Sequence, residues 1–243
     1  MLNILATEWL KLRRNKLMLV CTLLASLLPI LMLVQEIYDY RGAEPNYTVI
    51  SWVFRFSLLF QVIVYPVLSG FIITFLLQKE YGDHTMINTL TAPVSRIKFL
   101  TGKIIVWTVW HVIITIIFLI VICSGVRILY GGEMLSDFFA EIASLVLKIG
   151  VFNLGTLTPI IWVAILQRKT FYPSLLCTIA AAGIGFSGLY WPELLGSSIP
   201  WSAVVLVSVP DMDVISPLAY ISIGICTLLG LLLAMICFKR QEI

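Results

Sequence analysis

Apolar and polar positions alternate along this chain in long blocks rather than within short periods. Six apolar runs stand out, roughly Leu17–Ile37, Trp52–Leu77, Ile104–Ile122, Ile142–Leu166, Phe171–Tyr190 and Leu218–Phe238. A helix needs about 20 such residues to cross the hydrocarbon of a bilayer, and a helix pairs its backbone polar groups within one segment, as an apolar solvent demands. The pattern predicts an all-α integral membrane protein with six transmembrane helices. Pro29 is a candidate kink in the first run. Pro66 lies in the middle of the second and Pro159 towards the far end of the fourth. The run Ala181-Ala182-Gly183-Ile184-Gly185 offers small residues for close helix approach in the fifth.

Two stretches outside the runs have patterns of their own. Leu2, Leu5, Trp9 and Leu12 recur at helical spacing and are followed by Arg13, Arg14 and Lys16. Residues 1–16 therefore read as an amphipathic helix lying in the interface, with Trp9 among the headgroups. Residues 191–216 contain an apolar piece, Ala203–Val209, that is too short to cross, and they read as an interfacial or re-entrant region. Residues 17–243 form the six-span domain. Polar loops are expected around Glu36–Glu44 and around Arg127, Glu133, Asp137 and Glu141.

Composition agrees with the block pattern. The chain is 60% hydrophobic and 12% charged, with mean hydropathy +1.02, against about 25% charged in soluble domains. The net charge of +3 matters less than where the cations fall. Lys11, Arg13, Arg14, Lys16, Lys79, Arg96, Lys98, Lys103, Arg168, Lys169, Lys239 and Arg240 gather at one set of span ends, and the opposite loops hold only Arg41 and Arg127. Cytoplasmic loops carry the excess of Lys and Arg, so both termini are expected in the cytoplasm. There is no basic stripe with interleaved aromatics, which excludes a nucleic-acid partner. The five cysteines lie in or beside apolar runs without a C-x-x-C, and His84 and His111 are the only histidines, so no metal site is expected.

The polar island Gln78–Lys103 carries most of the chemistry. Glu80 opens a helix-compatible run through Leu90, Pro93 stops it, and Ser95 is placed to cap the next helix. A surface helix of mixed charge bearing Met86, Ile87 and Leu90 suits a protein partner. There is no P-loop, because Gly102-Lys103 is followed by Ile104 without the preceding glycine pattern. No catalytic set is evident, and the chain is not expected to be an enzyme. The spans are nearly charge-free, so a transporter of this kind would draw its energy from another chain. Charges at membrane depth are costly and mark functional candidates. Arg55 and Lys148 near the outer span ends could snorkel, hold an anionic headgroup, or pair with Glu36 or Glu141. His111 is either a hydrogen-bonded structural residue or part of a relay.

Glu8-Trp9-Leu10-Lys11-Leu12-Arg13-Arg14, six spans, and Glu80…Gly82-Asp83-His84-Thr85…Ala92-Pro93-Val94-Ser95-Arg96 together resemble the ABC-2-type permeases. Those show an E-x-x-x-G-T pattern and a later P-x-S-R. Here Asp83 and His84 separate Gly82 from Thr85. The length and Ile199-Pro200-Trp201-Ser202 are similar to the lantibiotic-immunity and bacitracin-resistance permeases. The resemblance implies an elbow helix at 1–16, a coupling helix at about 79–91 and a re-entrant region at 191–216. The implied coupling residues are Lys79, Glu80, Tyr81, Gly82, Asp83, His84, Thr85, Met86, Ile87, Leu90, Pro93 and Arg96. Arg55, Lys148, Glu36 and Trp201 are the candidate substrate contacts. The implied partners are a dimer of ABC ATPase subunits, a second permease copy (identical or paralogous) and membrane lipid. This chain would bind no cofactor itself, and ATP and Mg would sit on the ATPase. The expected function is export of a membrane-active peptide antibiotic or its lipid complex across a bacterial plasma membrane. A different cargo (lipid, ion or polysaccharide) and a non-transporting sensor or assembly partner are the alternatives.

Overall fold

A computed structural model of the protein describes residues 16–40, 46–82, 96–167, 170–209 and 214–240. Every regular element among them is helical. Among the described residues six helices are long and apolar enough to cross a membrane: Lys16–Asp39, Val49–Lys79, Arg96–Leu129, Gly132–Leu166, Tyr172–Tyr190 and Ser216–Arg240. These are called the first to sixth spans. The expected elbow helix at 1–16 falls almost wholly outside the described residues.

Two loop expectations are corrected, the first because Glu36 and Asp39 belong to the helix Lys16–Asp39. Arg127, Glu133, Asp137 and Glu141 are not in a loop, because the third and fourth spans run on as helices to either side of a tight reversal at Tyr130-Gly131. Gly131 makes that reversal with φ of 96°, a left-handed conformation that a Cβ disfavours. Glu133, Asp137 and Glu141 recur every four residues, so they form a polar stripe on a helix that projects beyond the hydrocarbon. Glu133 also sits in the first turn, where the helix dipole favours a carboxylate.

The second and fourth spans are the most buried, and the first and sixth the least. The third span packs on the fourth, the second on the fifth, and the sixth on the Thr158–Leu166 part of the fourth. Lipid tails are as apolar as leucine, so association relies on tight packing and interhelical hydrogen bonds. A Cβ on Gly230 would lie 2.5 Å from the backbone nitrogen of Pro159, so the sixth span is seated directly on the fourth. The small face of the fifth span is used as expected: Ala181, Ala182 and Gly185 are buried, and Gly185 abuts Val62 and the backbone of Trp201.

Two of the three spans with an interior proline depart from regular α-helix, whereas the first runs as one α-helix over Lys16–Asp39 through Pro29. The fourth breaks at Leu157, and Pro159 stands in the first turn of the helix that resumes. Thr158 Oγ1 donates to the carbonyls of Gly155 (2.8 Å) and Thr227 (3.1 Å) there. The second span is α-helical over Val49–Ser57, π-helical over Leu58–Val64 and α-helical again from Tyr65. In that wider register Tyr65 N–H bonds the Phe60 carbonyl. Pro66 has no N–H with which to continue to Gln61. Asn153 Nδ2 takes its place and donates to the Gln61 carbonyl at 2.7 Å.

Between the fifth and sixth spans lie two short helices, Glu193–Ser198 and Pro200–Ser208. Neither is long enough to cross a bilayer. The second packs against the fourth, fifth and sixth spans, with Ser202 through Leu206 buried. Ser202 Oγ donates to Gly196 O at 2.6 Å, and Ser197 Oγ accepts from Ile215 N–H at 3.0 Å.

Candidate functional site

The end of the bundle that carries the Tyr130-Gly131 reversal holds two groups of polar side chains. The first lies where the first three spans meet. Arg55 pairs with Glu36, and Trp52 Nε1 donates to the other Glu36 oxygen at 3.3 Å. The Arg55 guanidinium stands 4.7 Å from the centre of the Tyr47 ring, and Tyr130 O–H donates to Tyr47 O at 2.9 Å. Burial, then the nearby Tyr40 and Glu36, push the Tyr130 phenol up to about 12 against the opposing Arg55 charge. Of the roles left open for Arg55, its pairing with Glu36 is the one these contacts form. The group clasps the spans together and pairs the Arg55 charge with Glu36, while Arg55 Nε stays buried without a partner among the described residues.

The second group is an open groove of about 400 Å³ between the fourth span and the end of the Pro200–Ser208 helix. Glu141, Ser144, Leu145 and Lys148 line one wall, and Val207–Val209 the other. The spacing 141, 144, 148 follows the helical repeat, so these side chains share one face. Glu141 and Lys148 are both exposed, and neither side chain pairs with another described residue. The groove thus presents an ammonium and a carboxylate, neither paired among the described residues, on apolar walls.

Deeper in the bundle, polar side chains bond one another. Gln61 Nε2 donates to Val146 O at 2.9 Å, which with the Asn153 bond ties the second span to the fourth twice. Trp107 Nε1 donates to Ser69 Oγ (2.8 Å), Ser69 Oγ meets His111 Nδ1 (3.1 Å), and His111 Nε2 faces Gly150 O (3.0 Å). Both imidazole nitrogens are therefore engaged, as in a structural histidine: Nε2 carries the proton to the carbonyl and Nδ1 accepts from the serine. Trp201 Nε1 donates to Thr156 O at 3.0 Å and so anchors the Pro200–Ser208 helix to the break in the fourth span.

At the opposite end, the helix of the second span continues through Glu80, Tyr81 and Gly82. Lys79 is exposed and lies 5.9 Å from the centre of the Phe75 ring. Asp83, His84, Thr85, Met86, Ile87, Leu90 and Pro93 lie outside the described residues. Arg96 opens the third span and donates to Lys239 O at 3.4 Å. Phe99 stacks on Phe238 with ring centres 6.1 Å apart. The far end of the polar island is thereby fixed to the end of the sixth span.

Sequence reasoning missed Gln61, Asn153 and Ser144. For the first two a signal existed: an amide in each of two apolar spans, one of them five residues before a proline.

Residues 4–183 match the family described as ABC-2 family transporter protein. The chain belongs to the ABC-2 transporter family. This ABC-2 permease is also 30% identical, over 186 residues, to the bacitracin transport permease protein BCRB of Bacillus licheniformis. That likeness covers 72% of this chain and 84% of the relative. The ABC-2 chain is thus a multi-pass membrane protein and an ABC transporter permease, and its family implies partnership with an ABC ATPase. The family match ends in the fifth span, so the Pro200–Ser208 wall of the groove and the sixth span lie beyond it.

Proposed function

We propose that this ABC-2 chain is the permease subunit of an ATP-driven exporter that removes a membrane-active peptide antibiotic, or its lipid-bound complex, from the outer leaflet of a bacterial plasma membrane. The observation that carries the reading is the likeness to a bacitracin transport permease over most of that relative's length. The one-sided clustering of Lys and Arg supports cytoplasmic termini. On that orientation the groove at Glu141 and Lys148 faces outwards, where such a cargo arrives.

Residues 79–91 act as the coupling helix against a separate ATPase, which holds ATP and Mg. Two permease copies stand over two ATPases, residues 1–16 form the elbow, and 191–216 are re-entrant. ATP-driven movement of the coupling helix rocks the spans and alternates access to the two sides. The π-helical segment lies midway along the second span, and the Leu157 break lies in the last third of the fourth. They are the places where those spans bend with least loss of hydrogen bonding.

Expression of the chain with its ATPase in a sensitive host tests the reading. Growth should persist at raised bacitracin or related peptide concentrations, and Glu80→Lys should abolish that protection at equal expression. No protection against any membrane-active peptide, with the complex correctly assembled, overturns it.

A further inference from the structure

We propose that the groove between the fourth span and the Pro200–Ser208 helix binds the headgroup of an ethanolamine phospholipid, phosphate on Lys148 and ammonium on Glu141. The proposal adds a ligand class to the reading above and rests on it only in taking this end of the bundle as the outer one.

Height is the first argument. Eighteen residues separate Lys148 from Leu166, where the fourth span ends, at most about 27 Å at the helical rise because the span breaks at Leu157 between them. The hydrocarbon core is about 30 Å thick, so Lys148 stands near its upper boundary, where lipid phosphates lie. Glu141 is seven residues nearer the start of the helix, about 10 Å further out. A lipid lying against the span presents its phosphate first and its ammonium above it, in the order in which the groove presents Lys148 and Glu141.

Fit and chemistry are the second. Glu141 and Lys148 are long, exposed side chains two turns apart on one helix face, so one zwitterionic headgroup can take a charge-assisted hydrogen bond at each end. Ser144 lies between the two charges and can donate to a phosphate oxygen. Among the described residues neither Glu141 nor Lys148 has a charge partner. The groove volume of about 400 Å³ lies within the range of small-molecule sites. No aromatic side chain among the described residues lines it. Quaternary ammonium groups are recognised by aromatic cages, whereas a primary ammonium donates hydrogen bonds to a carboxylate. The lining therefore selects ethanolamine over choline.

The test uses the purified full-length chain in mild detergent, titrated with short-chain phosphatidylethanolamine, phosphatidylcholine and phosphatidylglycerol and read by native mass spectrometry. Phosphatidylethanolamine should bind about tenfold more tightly than phosphatidylcholine, the scale of one hydrogen bond to a charged group. Glu141→Gln should erase that preference while leaving binding of all three, and Lys148→Gln should weaken all three. Equal binding of the three lipids by the unaltered chain overturns the proposal without recourse to any variant. So does a preference that survives Glu141→Gln, or lipid binding indifferent to Lys148→Gln. The titration needs no ATPase, so its failure is separate from failure of the export reading, which the growth assay decides.

Discussion

The hydrogen bond from Asn153 to the Gln61 carbonyl stands in for a backbone bond that Pro66 cannot make, and this gives a quantitative prediction. Gln61 is 1% and Asn153 7% exposed, so water cannot replace the bond. Asn153→Leu removes the donor with little change of size. A buried acceptor left unpaired costs about 1–3 kcal/mol in soluble proteins. Interhelical hydrogen bonds in membranes average about 0.6 and reach about 1.7 kcal/mol. The expected loss is thus about 1–2 kcal/mol, a fall in Tm of roughly 2–8 °C for a chain of this length. Pro66→Ala supplies an N–H that can reach the same carbonyl in the π register. Asn153→Leu should then cost almost nothing in the Pro66→Ala background. The double-mutant cycle, read by denaturant or thermal unfolding in detergent, cancels the packing change and isolates the shared carbonyl. Costs that add to within about 0.3 kcal/mol would refute the substitution of Asn153 for the missing backbone donor.

Other substitutions probe the remaining claims. Gly230→Ala should destabilise by about 1–3 kcal/mol, because its Cβ would meet the backbone at Thr158 and Pro159. Gly224→Ala, with nothing within 4 Å of the added carbon, should be neutral or slightly stabilising, and unfolding midpoints of the two variants check the contrast. Arg55→Gln or Glu36→Gln alone should cost about 1–2 kcal/mol, a figure reduced because Arg55 is 37% exposed, while the pair changed together should cost less than the single changes summed. A stability cycle showing no coupling would remove the clasp. Glu80→Lys should abolish peptide-stimulated ATP hydrolysis in the reconstituted complex while shifting stability by no more than about 0.5 kcal/mol; unchanged stimulation would sink the coupling role.

The six spans were legible because membrane burial writes itself as length and hydropathy, which need no knowledge of neighbours. Their ends were less so. The third and fourth spans extend beyond the hydrocarbon as helix, and there the apolar signal vanishes although the backbone remains α-helical. The stripe Glu133, Asp137, Glu141 was visible, but its period of four was read as loop polarity. The proline positions were visible too, yet the π-helical segment was not, since the Asn153 donor that meets the Gln61 carbonyl there comes from another span. At the site, Arg55 and Lys148 looked alike in sequence, each a cation near an outer span end. Tertiary packing separates them: Glu36 reaches Arg55, whereas Glu141 lies on the same helix as Lys148, seven residues away, and lines the same groove without pairing with it. The groove's second wall comes from Val207–Val209, whose approach no local pattern reveals.

The most direct measurement is co-purification of the tagged chain from native membranes in gentle detergent, with identification and quantification of the bound proteins. An ABC-2 permease should bring with it a P-loop ATPase at about one copy per permease chain, and, on the proposed function, Glu80→Lys should leave that complex assembled but unstimulated by peptide. Recovery of the intact chain with no ATPase, under conditions that preserve a known ABC complex handled in parallel, would contradict the assignment of an ATP-driven permease.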